Sequence, residues 1–142
     1  MAAKKKKSTT RSDTNLESLE LYTFFLDRAS ESRSLRTALE NMGARIELHR
    51  DHFKDSEADQ VWLPVVAQKN WVIISQDQFN ELERKAIRNA GGRAFLVVAG
   101  SASGEMQAAI LTGAMRRMLR ILKSTPGPFI ARIYRAKRVV LI

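Results

Sequence analysis

Cysteine is absent from this 142-residue sequence, which removes a disulfide framework, a thiolate zinc site and a cysteine nucleophile together. Long apolar runs are absent as well: those such as residues 95–99 fall far short of the ~20 residues that a membrane-spanning helix needs. The opening segment, residues 1–11, is basic and leads into polar residues rather than the apolar stretch of a secretory leader, so a cytoplasmic protein without a membrane association is expected. Acid is the scarcer charge. Asp and Glu number 15 against 24 Lys and Arg, a net charge of +9, and such a bias favours a polyanionic partner, nucleic acid first. The bias outlasts removal of Lys4 to Lys7, because Arg116, Arg117, Arg120, Lys123, Arg132, Arg135, Lys137 and Arg138 keep the last third of the chain basic.

What is present is a hydrophobic content of 44%, enough for one domain with a substantial core. Residues 1–20, rich in Lys, Ser, Thr and Asp, read as a flexible basic arm, and 21–142 as the folded domain. Apolar runs at 21–26, 45–48, 71–75 and 93–98 have the length of buried strands. Between them lie helical patterns at 32–42, with Leu35, Ala38, Leu39 and Met42 on one side, at 57–69, with Val61, Trp62, Val65 and Val66, and at 79–90. Pro64 falls inside the second of these, where it would kink it or shorten its start. Gly43 supplies a left-handed stop and Gly91-Gly92 a turn. Ser101 and Ser103 can cap a long helix at 105–123, with Met106, Ala109, Ile110, Met118, Ile121 and Leu122 on its apolar side, and 129–134 with 139–142 suits a final hairpin. Strictly alternating strands and helices predict an α/β fold: three layers, a mostly parallel sheet covered on both faces and joined by right-handed crossovers.

In such a sheet, ligands collect outside the carboxyl ends of the strands where the strand order reverses. Asp27 directly follows the first strand and Asp77 closely follows the third. Asp59, in the first turn of the helix entering that strand, can face the same place. Converging carboxylates repel unless a cation lies between them, and a hard divalent ion with oxygen ligands is the usual solution. Beside a basic surface, such an ion suits phosphodiester hydrolysis. The competing reading makes Asp27 and Asp77 caps of the helices that follow them, and Asp59 an ordinary first-turn acid facing a helix dipole.

The segments Phe24-Phe25-Leu26-Asp27-Arg28, His49-Arg50-Asp51-His52-Phe53, Asp59-Gln60-Val61-Trp62-Leu63, Trp71-Val72-Ile73-Ile74-Ser75-Gln76-Asp77 and Pro128-Phe129-Ile130-Ala131-Arg132-Ile133-Tyr134-Arg135, in this order, resemble the PIN-like domains grouped with VapC-type toxin ribonucleases. The resemblance implies a three-layer PIN-like fold and an endoribonuclease. It further implies Mg2+ or Mn2+ held by Asp27, Asp59 and Asp77, an RNA substrate, a homodimer and a cognate antitoxin. Where many such domains carry a further acid soon after the third, this chain has Gln78, with Asp51 and Glu105 as candidate substitutes. Arg28, Arg116, Arg120 and Lys123 are candidates for holding RNA phosphates, against the plain alternative of a solvated helix face.

His49 and His52 flank Asp51, yet His-x-x-His without a further ligand is a weak metal signal that a polar loop explains equally. The stretch 100–104 lacks the ending of a nucleotide-binding loop, so helix capping accounts for it better. Two rival functions stand beside the nuclease: a catalytically idle nucleic-acid-binding module of the same fold, and a phosphoacceptor signalling domain. The second needs paired acids after its first strand, whereas Asp27 precedes Arg28.

Overall fold

The computed structural model describes residues 17–98 and 102–142. Ten regular elements follow one another: β1 (Thr23–Leu26), α1 (Arg33–Asn41), β2 (Arg45–Leu48), α2 (Asp59–Gln68), β3 (Val72–Ser75), α3 (Glu81–Asn89), β4 (Arg93–Val98), α4 (Gly104–Ser124), β5 (Phe129–Tyr134) and β6 (Val139–Leu141). The strands form one sheet in the order β2-β1-β3-β4-β5-β6, parallel throughout except for the antiparallel β5–β6 pair. The fold is therefore the expected α/β arrangement around a mostly parallel sheet. The order reverses at β1, which has β2 on one side and β3 on the other, so the crevice expected at a switch point opens between the ends of β1 and β3.

Successive side chains of a strand face opposite ways, and both faces of this sheet are buried. Phe24, Leu26, Val72, Ile74, Phe95, Val97 and Ala131 meet α1 and α4. Phe25, Ile73, Ala94, Leu96 and Ile130 meet α2 and α3. One connection departs from expectation. The steps β2 to β3, β3 to β4 and β4 to β5 all run the same way across the sheet, yet α2 and α3 cover one face while α4 packs with α1 on the other. The β4-α4-β5 crossover thus has the opposite hand to its neighbours. Coverage explains it, because α1 has only 9 residues, and without α4 the apolar side chains of β4 and β5 on that face would meet water.

Local details also shift. α2 begins at Asp59, two residues later than expected with Pro64 inside it, and buries Trp62, Leu63, Val66 and Ala67, leaving Val61 and Val65 exposed at 52% and 39%. In α4 the buried side is Ala108, Leu111, Met115, Met118 and Leu122, while Met106 is exposed. Gly43 does adopt the left-handed conformation, φ +95°, just past α1. Leu21 belongs to a 3-10 turn, Glu17–Leu21, rather than to β1, and Leu19 in that turn is buried in the core, so packing begins earlier than residue 21. The remainder of the basic arm and Ser101 lie outside the described residues.

Candidate active site

Asp27 leaves β1 with its backbone still extended, so the strand alternation carries its side chain to the α2/α3 face. It is 4% exposed, and its Oδ2 accepts a hydrogen bond of 2.5 Å from Oγ of Ser75, the last residue of β3. The same hydroxyl oxygen accepts from the backbone N–H of Asp77 at 2.9 Å. A single buried serine therefore links the two acids across the β1/β3 crevice.

The turn after β3 is built around Asp77. Its Oδ1 accepts from the N–H of Phe79 at 2.8 Å, Phe79 takes a left-handed φ of +56°, and the Phe79 ring is buried against Trp62. A non-glycine residue at that φ is held there by its surroundings, here the Asp77 bond and the buried ring. α3 then starts two residues later than expected, at Glu81, behind the reciprocal cap between Asn80 and Glu83. Ser32 caps α1 with a single bond, accepting from Leu35 N at 3.0 Å. Neither Asp27 nor Asp77 caps a long helix; those places belong to Ser32 and Asn80.

Asp59, the first residue of α2, has Oδ1 bonded by the indole N–H of Trp62 at 2.9 Å and lies 3.8 Å from a guanidinium nitrogen of Arg28. Arg28 also donates to the carbonyl of Asp55. A fourth acid joins them. The carboxyl of Glu83 on α3 is pushed above the usual carboxylate range, chiefly by burial, then by its side-chain contact with Asp59 and the charge of Asp77, while its bond to the Asn80 backbone pulls the other way. Glu83 is missing from the sequence reading, although Asn80-Glu81-Leu82-Glu83 carries the capping-box pattern that marks it as a first-turn acid at this edge.

Asp51 and Glu105 make no hydrogen bond or ion pair with these acids among the described residues. Asp51 is exposed in a 3-10 turn after β2, the outermost strand, and Glu105 is exposed in the first turn of α4. Among the described residues no three His, Asp or Glu side chains are arranged as a ready metal cage. Arg116, Arg120 and Lys123 lie on the exposed side of α4. This helix has 21 residues, about 31 Å, and runs away from the carboxyl edge, which sets Lys123 near the opposite edge.

The floor beneath Asp59 is aromatic: Phe25, Phe53, Trp62 and Trp71 pack together, and His49 is wedged among them. His49 is wholly buried, and neither ring nitrogen has a hydrogen-bond partner among the described residues. Burial foremost, and then the charge of Arg28, hold its pKa below the ordinary histidine value, so it is neutral at pH 7. His52 lies further out, 2.6 Å from Glu47.

Gln78 is engaged in the structure through both ends of its amide. Its Nε2 donates to the carbonyl of Val97 at 3.3 Å and its Oε1 accepts from Nε of Arg132 at 3.1 Å. Taken together, the chain gathers carboxylates from β1, α2, the β3–α3 turn and α3 at one edge. Carboxylate oxygens suit a hard cation in their chemistry, while their arrangement among the described residues forms no ready cage. No helix among the described residues is long and apolar enough to cross a membrane.

A family model for a PIN-like domain matches residues 23–99, a span containing Asp27, Asp59, Asp77 and Glu83. The chain is 27% identical over 122 residues to the protein named "Putative ribonuclease VapC45" from Mycobacterium tuberculosis, covering 81% of this chain and 88% of that protein. No solved structure gives a significant match. By the span of that family match and by its three-layer fold, the chain belongs to the PIN-like domain family.

Proposed function

We propose that this chain is a metal-dependent endoribonuclease that hydrolyses phosphodiester bonds of RNA and serves as the toxin of a toxin–antitoxin pair. The observation that carries the reading is the gathering of Asp27, Asp59, Asp77 and Glu83 at the switch point of a chain whose net charge is +9. The similarity to a protein named as a VapC ribonuclease supports it.

The donors fit magnesium or manganese. They are all carboxylate oxygens, the Glu83 carboxyl is raised in pKa by burial first and then by its contact with Asp59 and the charge of Asp77, and a divalent cation would relieve the like-charge part of that strain. Asp27, Asp59 and Asp77, joined by Glu83, would hold it. Bound there, the ion would polarise a phosphate oxygen and lower the pKa of a water molecule. The work of this chain is orientation: Ser75 fixes Asp27, the Phe79 N–H fixes Asp77 and the Trp62 indole fixes Asp59, so that each acid is aimed before substrate arrives. Arg28, 40% exposed beside Asp59, can meet a phosphate of the bound strand. Arg116, Arg120 and Lys123 would hold more distant phosphates without reading bases. A cognate antitoxin, a homodimer and a cytoplasmic location complete the reading.

Purified protein should cleave structured RNA with magnesium or manganese and not in chelator. Asp27→Asn and Asp77→Asn should each abolish cleavage with circular dichroism unchanged. Cleavage that survives chelation, or both substitutions, refutes the assignment. RNA that is bound but never cut, at any metal concentration, favours the idle module, a reading to which the absence of a ready three-acid cage among the described residues lends weight.

A further inference from the structure

The exit of β3 carries an arrangement that the acids do not use. Gln78 directly follows Asp77, and two guanidinium groups converge on it. Arg132 donates through Nε to its Oε1 at 3.1 Å, and Arg84 donates through Nε and Nη2 to its backbone carbonyl at 3.0 and 2.9 Å. The Nε2 of Gln78 is spent on the carbonyls of Val97 and Gln76, both at 3.3 Å, which fixes the amide so that only its oxygen faces Arg132.

Register places Arg132 beside the site. It pairs with Leu96, and Leu96 pairs with Ser75, so its Cα stands level with the serine that joins Asp27 and Asp77, two strands away or about 10 Å. Alternation with Ile130 turns its side chain to the α2/α3 face, the face of the acids.

The partner chemistry is telling. An arginine held by a carboxylate has its charge balanced by the partner, whereas one held by an amide or peptide oxygen carries it uncompensated. None of the ion pairs among the described residues involves Arg84 or Arg132, and both side chains are only partly exposed. After these bonds, Arg132 still has the N–H groups of both terminal nitrogens to offer, and Arg84 those of Nη1. A fork of that shape matches a phosphate.

We propose that Arg84 and Arg132, aligned by Gln78, form a subsite for an RNA backbone phosphate adjoining the acids. Gln78 is a positioning residue, and its neutrality is what leaves the two cations available. The proposal rests on the reading of RNA as substrate but not on cleavage.

The test uses the full chain and a labelled single-stranded RNA, with binding followed by fluorescence anisotropy in chelator over a salt series. Arg132→Gln should weaken binding about fivefold at low salt and reduce the slope of log affinity against log salt by about 0.7, the loss of one phosphate contact. Gln78→Glu, close in size but anionic, should weaken binding in the same direction, while Lys69→Gln at the opposite edge of the sheet, an equal change of charge to Arg132→Gln, should do neither. Thermal unfolding verifies the fold of each variant, and Arg84→Gln supplies the same reading should Arg132→Gln fail to fold. Unchanged binding in Arg132→Gln and Gln78→Glu, or no salt-dependent binding by the parent chain, overturns the subsite. So does a second bound manganese gained by Gln78→Glu, because the position would then belong to a metal. Weakened binding in a chain that never cleaves keeps the subsite and retires the nuclease; metal-dependent cleavage with binding unaltered does the reverse.

Discussion

Ser75→Ala isolates the link between the two principal acids. The hydroxyl is fully buried, donates to Asp27 and accepts from the N–H of Asp77, and alanine removes both bonds while leaving a void of only one oxygen. A hydrogen bond to a charged group contributes roughly 1.5–3 kcal/mol and a neutral one roughly 0.5–1.5, so a loss of about 2–4 kcal/mol is expected. In a chain of this size that lowers Tm by on the order of 10 °C. Urea unfolding at pH 7 reads the free energy, and a cycle with Asp27→Asn apportions it. If the carboxylate is what the hydroxyl holds, Ser75→Ala should cost at least about 1 kcal/mol less in the Asp27→Asn background. On the proposed function, in which Asp27 would hold the ion, cleavage should fall about 10–100-fold. A stability loss below about 0.5 kcal/mol, or one indifferent to Asp27, would show that the serine merely fills space and that the two acids are aimed by something else.

Three further outcomes follow from particular contacts. His49→Leu should change stability at pH 7.5 by less than about 1.5 kcal/mol, since an apolar side chain of similar volume replaces a buried ring lacking hydrogen-bond partners among the described residues. The pH dependence carries the sign: a folded pKa below the ordinary value means that the unfolded chain binds the proton first. Stability attributable to His49 is therefore complete above about pH 6.5 and lost as pH falls toward the depressed pKa. The parent protein should lose more stability than the leucine variant between pH 6.5 and 5, and parallel curves would contradict a neutral buried histidine. Gly92→Ala should cost about 1–3 kcal/mol, because its Cβ would lie 3.0 Å from Ala67 Cβ and Ile87 Cγ2 and 3.1 Å from a backbone oxygen; an unchanged urea midpoint would disprove that close approach. Asn80→Ala should cost about 1 kcal/mol by removing the cap of α3, and should alter cleavage as well, since the cap also holds Glu83; a stability loss with full activity would separate Glu83 from the site.

Periodicity made much of this fold legible. Runs such as Val72-Ile73-Ile74 are apolar on both sides because the strand is buried on both faces, and such runs alternating with amphipathic segments admit few architectures besides a covered parallel sheet. What periodicity could not supply was which face each helix would cover. α4 carries an apolar stripe that suits either side, and its place is decided by the area that α1 leaves bare, a quantity belonging to the assembled sheet. The phase of α2 was misread for a related reason. Val61 and Val65 are as apolar as Leu63 and Ala67, and only the position of the Phe25 and Ile73 side chains determines which pair turns inward.

The site divides along the same line. Asp27 and Asp77 could be placed at one edge of the sheet because they sit at strand ends, where topology alone converts sequence position into spatial position. Ser75 and Arg132 could not, since their contacts run across strands, and for Glu83 the local capping-box pattern marks a first-turn acid but not its contact with Asp59. Gln78 shows the difference most clearly. In the sequence it is a missing carboxylate, a deficit to be made good by Asp51 or Glu105. In the fold it is a neutral acceptor bonded to Arg132, which leaves uncompensated a guanidinium charge that a carboxylate here would balance. A carboxylate and a guanidinium play opposite roles at a phosphodiester, one holding a metal ion and the other meeting the phosphate directly. Exchanging Gln78 for glutamate therefore asks the molecule which of the two it uses.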